Sequence, residues 1–148
     1  MNMGPEQNVA LLRNTYTTLQ SGDLDTCAAA LTENFIANLP GAPGPLYGRE
    51  IWKRGVQAML DGFPDLRIDV EEMFGVDDKV VVRVHFRGTH RGAFQGVGAT
   101  GRAVSYDSIE IYRFEGDKIA EEWVAPDMLT LMRQITADAD DPADSGAH

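Results

Sequence analysis

The chain has 148 residues and a formal charge of −10, from 13 Lys and Arg against 23 Asp and Glu. A length within the roughly 100–200 residues of a single core argues for one domain, and the acidity disfavours a nucleic-acid backbone or an anionic membrane face as partner. No stretch approaches the ~20 apolar residues of a membrane span, the N-terminus lacks the basic start and apolar run of a secretory signal, and the single Cys27 cannot form an internal disulfide; we expect a soluble, cytoplasmic protein.

From Glu6 to Gln20, Val9, Leu12, Tyr16 and Leu19 recur at spacings of three and four, the stripe of an amphipathic helix. A second short helix follows an Asp23 cap, with Leu24, Cys27, Ala28 and Leu31 as its apolar positions. An extended piece, Asn34 to Leu39, leads into a Pro- and Gly-rich loop ending near Tyr47. Ile51, Trp52, Val56, Met59 and Leu60 then mark a third helix, stopped by Gly62 and Pro64.

Past Pro64 the period changes from helical to two. Leu66, Ile68 and Val70 alternate with charged residues, and Lys79 to His90, Ala103 to Phe114 and Lys118 to Val124 read as further strands. Met128 to Ile135 returns to helix. The remaining ADADDPADSGAH carries four Asp and no large apolar residue, the composition of a disordered acidic tail over 137–148. Three helices before a long, mostly antiparallel sheet predict an α+β fold in residues 1–136, closed as a cone with a pocket.

Most motifs in the chain dissolve on inspection. GVGATG at 96–101 matches a dinucleotide fingerprint only formally, because it joins two strands and opens no helix. With Gly88 and Gly92 it reads as a hairpin loop bending over a pocket mouth. His85, His90 and His148 are too few and too divided for a metal site, and Cys27 occupies an apolar helical position.

The strand faces carry more. Tyr106, Ser108, Glu110 and Tyr112 share one face, opposite Ile109 and Ile111. Ala120, Glu122 and Val124 share a face, opposite Ile119, Glu121 and Trp123, so Glu122 has small apolar neighbours that would raise a carboxyl toward the range useful for proton transfer. Val80, Val82, Val84, Phe86 and His90 share a parity, which puts His90 at the end of an apolar face.

Three segments, GTHRGAFQGVGATGRAV at 88–104, IEIYRFEGDKIAEEW at 109–123 and PDMLTLMRQI at 126–135, resemble the SnoaL-like polyketide cyclases of the nuclear-transport-factor-2-like α+β cones. The resemblance implies an enzyme that closes a ring of an aromatic polyketide by intramolecular aldol condensation, with acid/base residues and no cofactor. The family's central acid/base, an aspartate directly before a tryptophan, corresponds to Glu122 before Trp123. A family histidine one strand earlier is replaced by Glu110, whereas the histidine of the T-H-x-G segment is kept as His90.

The expected catalytic set is therefore Glu122, Glu110 and His90, with Asn38, Trp52, Phe86, Phe94, Tyr106, Ser108 and Asp127 binding a small hydrophobic, aromatic, polyketide-like substrate. Because the same cone hosts several chemistries, a hydroxylase-like, isomerase-like or dehydratase-like enzyme and a non-catalytic small-molecule binder stand as alternatives. The face carrying Ile109, Ile111, Ile119 and Trp123, with His85 and Arg87, would be left in water by three helices, which predicts a sheet-to-sheet homodimer.

Overall fold

The computed structural model of the chain describes residues 3–136; the expected acidic tail lies outside the described residues. Helix α1 (Pro5–Gln20) starts with proline at its first turn, where no intrahelical amide bond is lost. Helix α2 (Leu24–Ala29) is capped by Asp23, whose carboxylate accepts from the Thr26 amide at 3.1 Å. Strand β1 (Leu31–Asn38), the two-residue strand β2 (Leu46–Tyr47) and helix α3 (Arg49–Gly62) follow. Strands β3 (Arg67–Val76), β4 (Lys79–Thr89), β5 (Ala103–Glu115) and β6 (Lys118–Pro126), then helix α4 (Met128–Thr136), complete the chain.

The sheet order is β2-β1-β6-β5-β4-β3, antiparallel except for the β1·β6 pair, which is parallel. It is a curved sheet that does not close on itself, with β2 and β3 at its two edges. The inner face packs Leu12 of α1 and Leu131 and Ile135 of α4 against Phe35, Val80, Val82, Val84 and Phe114. No helix among the described residues is long and apolar enough to cross a membrane.

Three elements differ from their sequence-based expectation. Leu31, grouped with the stripe of the second helix, is instead the first residue of β1 and pairs with Ile119; a helical spacing of four cannot be told from the first inward position of a strand until the partner is known. Leu46–Tyr47, expected as loop, pairs with β1. Ile119, expected on the outer face with Trp123, is buried. A register shift explains it: Arg113 pairs with Glu121 but Phe114 with Ile119, so the extra residue Ala120 is a bulge that turns Ile119 inward.

Residues 90–102 form the long β4–β5 connection, and no helix follows the GVGATG stretch. A tight turn closes within it, the amides of Phe94 and Val97 each donating to the other's carbonyl at 2.9 Å. Its two central residues, Gln95 and Gly96, have φ of 50° and 78°, the handedness that a two-residue hairpin demands. The loop is latched to the end of α3, since the amides of Arg91 and Gly92 both donate to the Gly62 carbonyl. Gly92 permits this approach: a Cβ there would lie 2.1 Å from the Asp61 carbonyl oxygen.

Candidate active site

Between α3 and the inner face of the sheet lies a cavity of about 330 Å³, at the small end of the size expected for a ligand site. Helix α3 supplies Ile51, Trp52, Val56 and Met59, the sheet supplies Phe86, Tyr106 and Val124, and the turn over the mouth supplies Phe94 and Gln95. Into this apolar chamber project two carboxyls, Glu110 and Glu122, with Tyr16 and Tyr112 beside them. Both glutamates are buried in the sense of whole-residue exposure, at 7% and 5%.

The alternation of β5 puts Ser108, Glu110 and Tyr112 on one face, where all three are buried. Ser108 Oγ donates to Glu110 Oε2 at 3.0 Å and Tyr112 Oη to Oε1 at 2.7 Å. Tyr16 of α1 adds a third hydroxyl, donating to Oε1 at 2.5 Å. Three hydroxyl donors, on both oxygens, hold this carboxyl in a single orientation. In turn, burial and then the charge of Glu110 raise the phenols of Tyr16 and Tyr112 well above their ordinary value, so both remain protonated donors.

Glu122 has a different environment. Tyr112 is its direct cross-strand partner and Val124 is that of Glu110, which makes the two glutamates diagonal neighbours. No described side chain hydrogen-bonds the Glu122 carboxyl, and its oxygens face the cavity. Burial, and secondarily the charge of Glu110, pushes its pKa up to about 8. Magnitudes support that order: a diagonal neighbour about 7 Å away, at an effective dielectric of about 20, contributes about 2 kcal/mol. A rise from 4.5 to about 8 requires more than twice that, at about 1.4 kcal/mol per pH unit. Desolvation supplies the larger share.

Of the ten residues expected at the site, Glu110, Glu122, Trp52, Phe86, Phe94 and Tyr106 line the cavity. Ser108 lies behind Glu110 as its hydrogen-bond donor. Asn38 faces the other way, its amide donating to Glu121 Oε2 at 3.0 Å and to the Glu122 carbonyl at 2.9 Å, so it braces the backbone of β6. Asp127 is exposed and caps α4, accepting from the Thr130 amide and hydroxyl.

His90 is fully buried but outside the cavity wall, its ring 5.5 Å from that of Phe63. Its Nδ1 accepts from the Thr100 amide at 3.3 Å and meets the Thr100 hydroxyl at 2.9 Å. The strand parity that put His90 on the apolar face is correct. What parity did not convey is that β4 ends at Thr89, so His90 ties the two ends of the loop together instead of reaching the carboxyls.

Tyr16 was legible only as a core position of its helix, and Tyr112 only as a neighbour of Glu110; the cluster they form needs the fold. Cys27 is buried, its thiol 3.6 Å from the Thr15 carbonyl and pushed up to about 11, chiefly by burial, as befits a packing residue. Among the described residues no group of three His, Cys, Asp or Glu side chains converges to hold a metal ion.

This architecture is shared with known proteins. A SnoaL-like protein from Jannaschia sp. CCS1 superposes with a TM-score of 0.84 at 23% identity, covering 93% of this chain and 99% of its own. AclR of Streptomyces galilaeus, a proposed hydroxylase, gives 0.83 at 24% identity over 97% of this chain and 92% of its own. IdmH of Streptomyces antibioticus, a proposed polyketide cyclase, gives 0.77 at 29% identity over 86% and 97%. No curated protein matches the chain. The family model for SnoaL-like polyketide cyclases matches residues 10–135, a span holding the cavity, both glutamates and the loop above them, and the chain is a member of that family.

Proposed function

We propose that the protein is a polyketide cyclase that closes a ring by intramolecular aldol addition, using Glu122 as the proton carrier. The observation that carries the reading is a carboxyl poised near pH 8, without a hydrogen bond from any described side chain, in an aromatic chamber beside a second carboxyl that three hydroxyls immobilise. The similarity to IdmH supports the same direction.

In this scheme ionised Glu122 takes the proton alpha to a substrate carbonyl. The carbanion, delocalised as an enolate, attacks a second carbonyl held against it by the walls, forming the carbon–carbon bond. Glu122 then returns its proton to the alkoxide. No net oxidation occurs, and every proton removed is restored to the product. Glu110 stays bound to Tyr16, Tyr112 and Ser108, and burial, seconded by Glu110, keeps Glu122 basic enough to attack a carbon acid.

Incubation with a panel of anthraquinone-type keto esters tests the assignment. Ring closure by the protein alone, without additives, is the expected result. Product that depends on oxygen, a reductase and reduced nicotinamide would make it hydroxylase-like, and binding without turnover would make it a carrier.

We further propose a homodimer formed through the outer face of the sheet. Phe74, Val81, Ile111 and Trp123 are successive cross-strand partners, which lines them up as one row across four strands. Phe74, and Ile109 two positions before Ile111 on β5, are 50% and 54% exposed. An uncovered apolar band of this kind marks an interface, and a self-complementary patch closes most simply about a two-fold axis. Light scattering at micromolar concentration is expected to give twice the chain mass, and an Ile111→Asp/Trp123→Asp variant the chain mass itself. A monomeric parent protein, or an undisturbed dimer in the variant, would remove this interface.

A further inference from the structure

On the outer face of the sheet, away from the cavity, a serine, a histidine and an aspartate are connected in series. Asp107 Oδ1 lies 2.6 Å from His85 Nδ1, and Ser105 Oγ lies 2.8 Å from His85 Nε2. In the tautomer with the proton on Nδ1, the ring donates to the Asp107 carboxylate and Nε2 accepts the Ser105 hydroxyl. That connectivity, a nucleophile on a base that a carboxylate orients, is recognised by geometry and role rather than by fold.

The sheet fixes the arrangement. His85 and Asp107 are direct partners in the β4·β5 ladder, as are Arg87 and Ser105, so the four side chains stand on one face at neighbouring positions. The Ser105 backbone is held at both polar atoms by the Gln134 side chain, its amide donating at 2.8 Å and its carbonyl accepting at 2.8 Å. Asp107 is exposed and His85 about one quarter exposed, which leaves the serine approachable from solvent. Arg87, the ladder partner of Ser105, has its guanidinium on Asp69 of β3 at 2.7 Å.

We propose that Ser105, His85 and Asp107 form a second, nucleophilic site, at which Ser105 is acylated by activated esters. Ser105 Oγ attacks the ester carbonyl while its proton passes to His85 Nε2. The tetrahedral oxyanion is left to solvent. It collapses with loss of the aryloxide, which takes the proton from His85 Nε2 and leaves as the phenol, and an acyl-Ser105 ester remains. Attack by water, with His85 again as base, releases the carboxylic acid and restores the serine. The Ser105 amide is taken by the Gln134 side chain and its strand neighbours belong to the β4·β5 ladder, so the site presents no pair of free backbone donors and good leaving groups are the substrate class: aryl esters, not amides.

The site shares the outer face with the proposed interface row, Asp107 standing two positions from Ile109 along β5, so acylation is followed in the Ile111→Asp/Trp123→Asp variant as well as in the parent chain. Ser105 is six positions from Ile111 along β5, about 20 Å at about 3.3 Å per residue.

The test is incubation of the full chain with p-nitrophenyl acetate, following p-nitrophenol release and locating acetyl groups by peptide mass spectrometry. The expected result is acetylation at Ser105, abolished in Ser105→Ala and slowed at least tenfold in His85→Gln and in Asp107→Asn, with circular dichroism unchanged. Acetyl groups only on lysines or the N-terminus, or acetylation of Ser105 at equal rates in the parent chain and His85→Gln, would overturn the proposal. Neither outcome bears on the cavity chemistry.

Discussion

Replacing Glu122 by Gln is expected to lower turnover in the ring-closing reaction by roughly 10²-fold or more, the usual size of a general acid/base contribution, with ligand binding retained. The amide keeps the shape of the side chain and its backbone bond from Asn38 but can neither take nor return a proton. Because Glu122 must be ionised to act and its pKa is near 8, kcat/KM of the parent enzyme should climb about tenfold per pH unit below that value and level off above it. The Gln variant should lack that limb. Glu122→Asp, which keeps the acid one methylene further from the substrate, should recover part of the rate. An unchanged rate in Glu122→Gln, or a profile that falls between pH 6 and 8, would take this residue out of the proton-carrier role.

The same carboxyl should leave its mark on stability. The folded-state pKa of Glu122 is raised, from 4.5 to about 8, so the folded protein holds a proton that the unfolded chain releases, and stability must fall as pH rises between those values. The benefit of the neutral form is fully present below about pH 4.5 and is lost as pH passes through about 8. Other groups titrate across the window, but they are common to the parent protein and Glu122→Gln. The difference between the two therefore isolates this site. Denaturant titrations should show the Gln variant gaining on the parent protein by a few kcal/mol, about 1.4 kcal/mol for each pH unit crossed, with m-values unchanged. A constant difference from pH 5 to pH 9 would show that the carboxyl is solvated in the folded state. Loss of activity together with gain of stability at high pH is the pairing expected of a site group strained by its own burial.

How much of this was legible beforehand depended on whether the deciding partner was local. The face shared by Tyr106, Ser108, Glu110 and Tyr112 follows from the two-residue period of one strand, and it is correct residue by residue. The Asp23 cap is likewise a matter of three residues. Tyr16 is the opposite case. Its spacing on α1 is that of a core residue, which it also is, and nothing near it reveals that its hydroxyl meets a carboxylate 94 positions later. Ile119 was misplaced because one bulged residue inverts every side chain beyond it, and bulges leave no mark in hydrophobic periodicity. Asn38, His90 and Asp127 are polar residues whose hydrogen-bond partners turned out to be backbone, loop and helix end. The sequence pattern could bring them near the site but could not say which way they would face.

The parallel pairing of β1 with β6 has a kinetic consequence. Strands β3 to β6 are joined in succession by a short turn, a loop and another short turn, so each pairing in that meander closes a modest length of chain. Asn38 and Glu122, by contrast, are 84 residues apart in the chain, and closing so long a loop costs entropy before any contact repays it. The meander can be assembled while the N-terminal third is still unattached, and in that partly ordered state Glu122 lies on an exposed edge strand, hydrated, with Tyr16 absent from Glu110. Docking of the N-terminal third, α3 included, is then expected to dry the chamber, raise the Glu122 pKa and bring the third hydroxyl to Glu110. Refolding followed through the ionisation of Glu122 would therefore report the last long-range closure of the chain, after the signal from the β3–β6 meander is already complete.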